Sequence, residues 1–342
     1  MFRVHLLPAG HGDCIWIEYG TAGQTHRVLI DAGTPGTYKR LKQRIGKQPM
    51  HFELFVITHI DADHIGGAIK LLSDANVTYD DIWFNGWDHI NGRVPAMTAL
   101  GSKQAEAVSQ LIVDRKLPWN RAFGGAAVVL TRAPLTKTLP GGMTLTLLSP
   151  YREQLTKLIP DWEKELRAAT LKPKRRESPL ALGGDEALDV DTLAAEAFES
   201  DTAAANGSSI AFIAEYKRKR ALFTGDAHVP VLLDSLKKLQ PAGAMKIDLL
   251  KLAHHGAGGN TSNDLLKRLT CPRYLISSNG AYFKHPERTA IARIVKRSGK
   301  KKLIFNYATQ FNSMWRDAGL QSKYKYETSY PADEVSGAVI DL

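Results

Sequence analysis

Directly after the apolar run 52–58 the chain reads His59-Ile60-Asp61-Ala62-Asp63-His64, four metal-competent side chains within six residues. A loop at a strand end is free to curl several of them towards one point, which a regular helix or strand cannot do. Imidazole together with carboxylate suits divalent ions such as zinc, manganese or iron. A polar turn that only caps the next helix needs one such residue, with Asp63 as N-cap, and not four.

Around this loop, short β-rich runs alternate with helical stretches. Residues 2–7, 14–19, 26–30, 52–58, 81–85, 128–130 and 143–148 read as strands, and 38–47, 66–72 and 95–115 as helices. After residue 206 a hairpin is expected from 209–216 and 220–224 around Lys217-Arg218-Lys219. Strands follow at 246–253, 274–277 and 302–305, with helices at 229–239, 263–269 and 287–296. Between these halves, 1–150 and 206–342, segment 151–205 has a different character. It is helical at first, then basic at 172–176, and its stretch 177–205 holds eight acidic residues and no Lys or Arg. That segregation reads as an exposed insertion or flexible charged loop. Two strand-rich halves with helices between them point to a layered α/β domain.

Four separated blocks resemble the metallo-β-lactamase superfamily: Asp31 after strand 26–30, the 59–64 loop with Asp61 replacing the usual second histidine, Asp226 in Thr224-Gly225-Asp226, and His254-His255-Gly256. The resemblance implies a four-layer αββα sandwich with its site at one edge of two facing sheets. Gly10-His11-Gly12-Asp13, Asn206-Gly207-Ser208-Ser209 and His285-Pro286 extend the likeness to the soluble nuclease domain of ComEC competence proteins and their stand-alone relatives. A looser likeness is to hydrolases of bacterial defence loci.

The resemblance implies two divalent ions, Zn²⁺ or Mn²⁺. His59 and Asp61 would hold the first, Asp63, His64 and His255 the second, and Asp226 would bridge them. Asp31 would orient the loop, and His254 would serve the outer shell or proton transfer. Where many relatives supply a further histidine, this chain has Asn206, Ser208 and Ser209. Cations about 3.5–4 Å apart activate a water and neutralise a phosphodiester's developing charge. Asp63 and Asp226 would orient that water, with His285 as the candidate proton donor to the leaving oxygen. His11 and Asp13 are expected near the site, and Lys251 either touches a phosphate or is solvated.

The 45 Lys and Arg against 35 Asp and Glu give a net charge of +10, which favours an anionic partner such as nucleic acid or a nucleotide. Basic clusters at 39–47, 172–176, 217–220 and 296–302, with Trp83, Trp87, Tyr282, Tyr307 and Trp315, supply charge and rings for such a partner. The expected activity is that of a DNA nuclease. The alternatives are a hydrolase of small or cyclic nucleotides and a metal-stabilised binding module. The 172–176 cluster also invites a trypsin-like peptidase, whose cut would release an acidic run blocking the groove. No apolar run approaches the ~18 residues of a membrane span. No secretory signal is visible in the first twenty residues, and Cys14 and Cys271 suggest neither a disulfide framework nor a thiolate metal site. A cytoplasmic address is expected.

Overall fold

A computed structural model describes residues 1–92, 103–131, 133–167, 188–333 and 335–342. The first part of the expected helix 95–115 and the basic cluster 172–176 lie outside them. Short, near-continuous apolar runs, buried on both faces in the central strands, build two sheets. The first runs in the order Ala338–Asp341, Phe2–Leu6, Ile15–Thr21, Gln24–Ile30, Leu54–Val56, Ile82–Trp83. The second runs Tyr326–Ser329, Lys301–Phe305, Arg273–Ile276, Leu249–Lys251, Lys219–Phe223, Ala211–Tyr216, Thr144–Ser149, Thr136–Thr138.

Successive strand side chains point to opposite faces, and this sorts the core into three layers. Val4, Ile17, Val28 and Val56 meet Leu147, Phe212, Phe223 and Leu275 between the sheets. On the outside of the first sheet, Trp16, Leu29 and Phe55 pack under Leu41, Leu71, Val108 and Leu155 of the helices Thr37–Ile45, Ala68–Ser73, Lys103–Asp114 and Arg152–Arg167. Outside the second, Ile213, Leu222, Leu250 and Ile276 pack under Leu232, Leu265 and Ile291 of Val229–Leu239, Asn263–Lys267 and Arg288–Val295. The architecture is the four-layer αββα sandwich. Among the described residues no helix is long and apolar enough to cross a membrane.

Several local expectations need correction. Residues 128–130 form no strand: Asn85 accepts from the Val128 N–H at 2.8 Å and donates to its carbonyl at 3.0 Å, so one side chain takes the place of a neighbouring strand. Only Leu130 makes a bridge, to Tyr151. Asp63 is not an N-cap but lies inside the short helix Ala62–Ile65, whose N-cap position is Asp61. Strand Ala338–Asp341 was not expected; it pairs antiparallel with Phe2–Leu6 at the sheet edge, where Val339 is 55% exposed and the hydrophobic pattern is weak.

The described part of the acidic run is folded onto the protein. Asp189 caps helix Val190–Ala195, accepting from the Asp191 and Thr192 N–H groups. Val190 and Ala194 are buried in the outer core. Asp191 takes Lys296, Lys323 and the Tyr324 hydroxyl as partners. Its negative charge therefore meets a basic cluster of the same chain.

The topology also fixes where a site can form. Gln24–Ile30, Leu54–Val56 and Ile82–Trp83 run parallel, as do Lys219–Phe223, Leu249–Lys251, Arg273–Ile276 and Lys301–Phe305. The carboxyl ends of parallel strands open a crevice between their loops.

Candidate metal centre

The loops that follow several of these strands deliver the polar groups of the site. After Ile30 the chain turns left-handed at Asp31, φ 58°. The Asp31 carboxylate accepts the Thr58 N–H at 2.7 Å, the Thr58 hydroxyl at 2.8 Å and His64 Nδ1–H at 2.7 Å. His59 Nδ1 faces Thr58 Oγ1 at 3.0 Å, and His255 Nδ1 donates to the Ser277 carbonyl at 2.9 Å. Engaging Nδ1 fixes ring orientation and leaves Nε2 as the ligating atom. His254 and His255 both adopt left-handed backbone, φ 46° and 55°, which costs about 1–3 kcal/mol per residue. The two rings stand 6.0 Å apart with their planes 69° from parallel.

The free atoms converge on Asp226. Its N–H donates to Ser209 Oγ at 3.1 Å and its Oδ1 accepts the His254 N–H at 3.1 Å, so Oδ2 is aimed inward. Oδ2 lies 3.4 Å from His64 Nε2, 3.8 Å from His59 Nε2 and 3.9 Å from the Nε2 atoms of both His254 and His255. Asp63 Oδ2 stands 3.3 Å from His255 Nε2, and the half-exposed Asp61 reaches to 3.6 Å from His59 Nε2. Two groups of donors result, His59 with Asp61 and His255 with Asp63; His64 stands between them, in reach of both His59 and His255, and all three histidines face Asp226.

Burial opposes the charged forms of His64, His255, Asp63 and Asp226, and mutual attraction overrides it. For His255 lost solvation lowers the pKa, but Asp13, Asp226 and Asp63 more than offset this and raise it to about 9. His64 also rises well above its ordinary value despite burial, through Asp226, Asp31 and Asp63. Against the same burial, Asp226 and Asp63 are held well below the usual carboxylate range, chiefly by His64.

Divalent cations fit this donor set. Buried polar atoms in proteins are normally paired, yet buried His59 Nε2 has no hydrogen-bond partner. Two triads, His59–His64–Asp226 and Asp13–His64–His255, bring one ligand atom each to within 4.8 Å of one another. A cation must displace the protons of the ion-free site, so uptake at pH 7 is expected to release protons. Affinity should rise between the ordinary histidine value of 6.5 and about 9, as His255 titrates. Over the same interval the ion-free chain should lose stability, because a raised folded pKa stabilises fully below the unfolded value and no longer above the folded one. Zinc titrations across pH and melting curves of chelated protein read the two opposite trends. Affinity that stays flat with pH contradicts this electrostatic picture.

The remaining expected residues are placed as follows. Gly12 packs so closely on the loop that a Cβ there would lie 1.8 Å from the Asp63 carbonyl, and the neighbouring Asp13 N–H donates to that carbonyl at 3.2 Å. Lys251 is neither solvated nor free for a phosphate. It is fully buried, donating to Asp13 Oδ2 at 2.6 Å and to the Leu252 carbonyl at 3.0 Å. Asn206 donates to Asp201 at 2.7 Å, beside His254. The Ser208 hydroxyl is spent on the Ala205 carbonyl at 2.6 Å, whereas Ser209 holds Asp226. His285 is buried beside His254, 5.2 Å between ring centres, and its Nδ1 makes no hydrogen bond, with Glu287 at 3.7 Å. Burial, with His254 and His255 nearby, pushes its pKa well down. His11 lies at the mouth, stacked on Tyr282. Of the expected stacking rings, Trp83, Tyr307 and Trp315 are core residues, and Trp87 packs on Trp162; Tyr282 is exposed.

Sequence reading missed two residues. Asn260 Oδ1 accepts from His254 Nδ1 at 3.1 Å, and its amide donates to Asp201 at 3.0 Å and to the Asp226 carbonyl at 3.1 Å. Asp201, from the acidic run, completes this support. The clustering of Gly and Asn in Gly258-Gly259-Asn260 just after the histidine pair was the available signal for one; nothing in the sequence marked out the other.

A family model described as the metallo-beta-lactamase superfamily matches residues 7–280. Among solved structures, Zn(2+)-bound PqqB from Methylobacterium extorquens is 12% identical, with 99% of this chain and 100% of that one covered and a TM-score of 0.39. The metallo-beta-lactamase fold protein YhfI from Bacillus subtilis is 10% identical, with 99% and 98% covered and a TM-score of 0.37. No curated protein is similar enough to match. With the family model spanning most of its length, and its histidines and aspartates gathered at one sheet edge, the chain belongs to the metallo-beta-lactamase superfamily.

Proposed function

We propose that this protein is a metal-dependent phosphodiesterase with DNA as its leading substrate class. The observation that carries the reading is the position of Asp226 Oδ2, common to two groups of imidazoles and carboxylates. His59, Asp61, Asp63, His64, His255 and Asp226 would hold the ions. Divalent cations bound there polarise a phosphoryl oxygen and bring the pKa of a water towards neutrality. Asp63, beside His255, and Asp226 accept hydrogen bonds from the attacking water and set its direction. His254 is better placed than His285 to hold the proton destined for the leaving oxygen. Its Nε2 faces the crevice, while Asn260 and Asp201 support Nδ1. Burial opposes the charge on His254, but Asp226 and Asp201 raise its pKa, whereas His285 is kept neutral. The carboxylate-rich donor set and the +10 charge support a phosphate ester over a neutral acyl substrate.

One observation favours the second reading, a small or cyclic nucleotide. The basic turn at Lys217 and Arg218 opens strand Lys219–Phe223, and 296–302 leads into Lys301–Phe305, so both lie at the strand ends opposite the crevice. The test is a hydrolysis panel with Mn²⁺, Zn²⁺ or Mg²⁺ on single- and double-stranded DNA, RNA and cyclic dinucleotides. Asp63→Ala is expected to lower turnover by about 100-fold or more. Binding of a polymer falls steeply with salt through counterion release, and that of a small nucleotide much less. No hydrolysis of any phosphodiester overturns the reading, and binding without turnover, unaltered in Asp63→Ala, marks a binding module.

A further inference from the structure

Resting on the phosphodiesterase reading, we propose that Tyr282 and Phe283, with His11 beneath, form a stacking shelf for the nucleobase next to the scissile phosphate. Tyr282 is 50% and Phe283 37% exposed, adjacent aromatic rings kept in solvent although burying them elsewhere would be favourable. Their exposure is built rather than incidental, because the loop beneath is pinned. The Asn279 N–H donates to the Gly10 carbonyl at 2.9 Å, Ala281 N–H to Asn279 Oδ1 at 3.0 Å, and Lys284 N–H to the Gly280 carbonyl at 3.1 Å.

The shelf is continuous with the metal centre. Tyr282 stacks on His11, ring centres 5.3 Å apart and planes 25° from parallel. Phe283 meets Tyr282 edge-on, planes 79° apart, so the open face of Tyr282 is the platform and Phe283 its wall. Phe283 lies 24° from parallel to His285 at 5.8 Å, and His285 26° from parallel to His255 at 6.5 Å. Phe283 also stands 6.2 Å from the His254 ring, whose Nε2 is 3.9 Å from Asp226 Oδ2, so the shelf borders the crevice where the phosphate would sit. The flat faces suit any base, and the phenol and imidazole edges suit a polar heterocycle better than an aliphatic group. Stacking on such a platform is sequence-tolerant.

Calorimetry of the metal-loaded protein with dAMP and with 2-deoxyribose 5-phosphate tests the shelf. Base–aromatic stacking predicts that dAMP binds about 5- to 150-fold more tightly than the sugar phosphate. The ratio should collapse towards one in Tyr282→Ala and survive in Tyr282→Phe. A ratio near one in the unaltered protein, or one unchanged in Tyr282→Ala, overturns the proposal. Hydrolysis separates it from the underlying reading. Selective dAMP binding through Tyr282 without cleavage of any phosphodiester leaves the shelf standing and removes the phosphodiesterase. Equal cleavage of normal and abasic oligonucleotides leaves the phosphodiesterase and removes the shelf.

Discussion

Replacing Asp226 by alanine is expected to strip the protein of its ions and abolish turnover, the largest functional effect of any single change. Its Oδ2 is within 3.9 Å of four imidazole nitrogens, so its removal takes one ligand from both groups at once. Loss of a residue that merely supports a ligand costs about 10- to 100-fold in metal affinity, and loss of a shared ligand should exceed that. Asp226→Asn separates charge from shape. An amide oxygen at the Oδ1 position still accepts the His254 N–H, and the backbone still donates to Ser209, but the negative charge facing the histidines is gone. Both variants should fail to retain metal through gel filtration. Asp226→Asn that keeps its ions and its activity within a few-fold would show that the carboxylate is not a ligand.

The largest stability effect is expected at Lys251. Its ammonium and the Asp13 carboxylate form an ion pair at 2.6 Å with both side chains almost wholly inaccessible. Burial alone would raise the Asp13 pKa, and Lys251, followed by His255, pulls it below the usual range instead. Lys251→Met takes the ammonium from a buried carboxylate and leaves it only His255, with Nδ1 3.4 Å away; breaking such a buried pair costs about 3–5 kcal/mol. Removing both charges in Lys251→Met with Asp13→Asn should recover much of the loss, since an absent pair costs less than a broken one. Denaturant midpoints of the single and double variants decide the matter. A single variant within about 1 kcal/mol of the parent would mean that the pair is not what keeps Asp13 charged.

Much of this was legible in the sequence because it is local. The 59–64 loop, Asp31, Asp226 and His254-His255 each sit at the end of an apolar run, and strand ends in a parallel arrangement are where a crevice must open. Strand-rich halves with helices between them pointed to a layered α/β domain, and the family resemblance supplied the four layers. The failures share a cause, which is that a partner distant in sequence changes what a residue does. Lys251 looks like an ordinary strand lysine until Asp13, 238 positions away, is brought against it. Nothing local in the acidic run singles out Asp201, which only the fold brings within 3.6 Å of His254 Nδ1. Residues 128–130 look like a strand, but the Asn85 side chain takes the hydrogen bonds of Val128.

X-ray absorption at the metal edge of the loaded protein, compared with its His64→Ala variant, tests the centre most directly. The expected first shell contains only nitrogen and oxygen, with scattering from more than one imidazole at about 2.0–2.1 Å for zinc, and the variant loses imidazole scattering or the metal altogether. A spectrum without imidazole, or one that His64→Ala leaves unchanged, would place the ion elsewhere and contradict the metal centre on which the proposed chemistry stands.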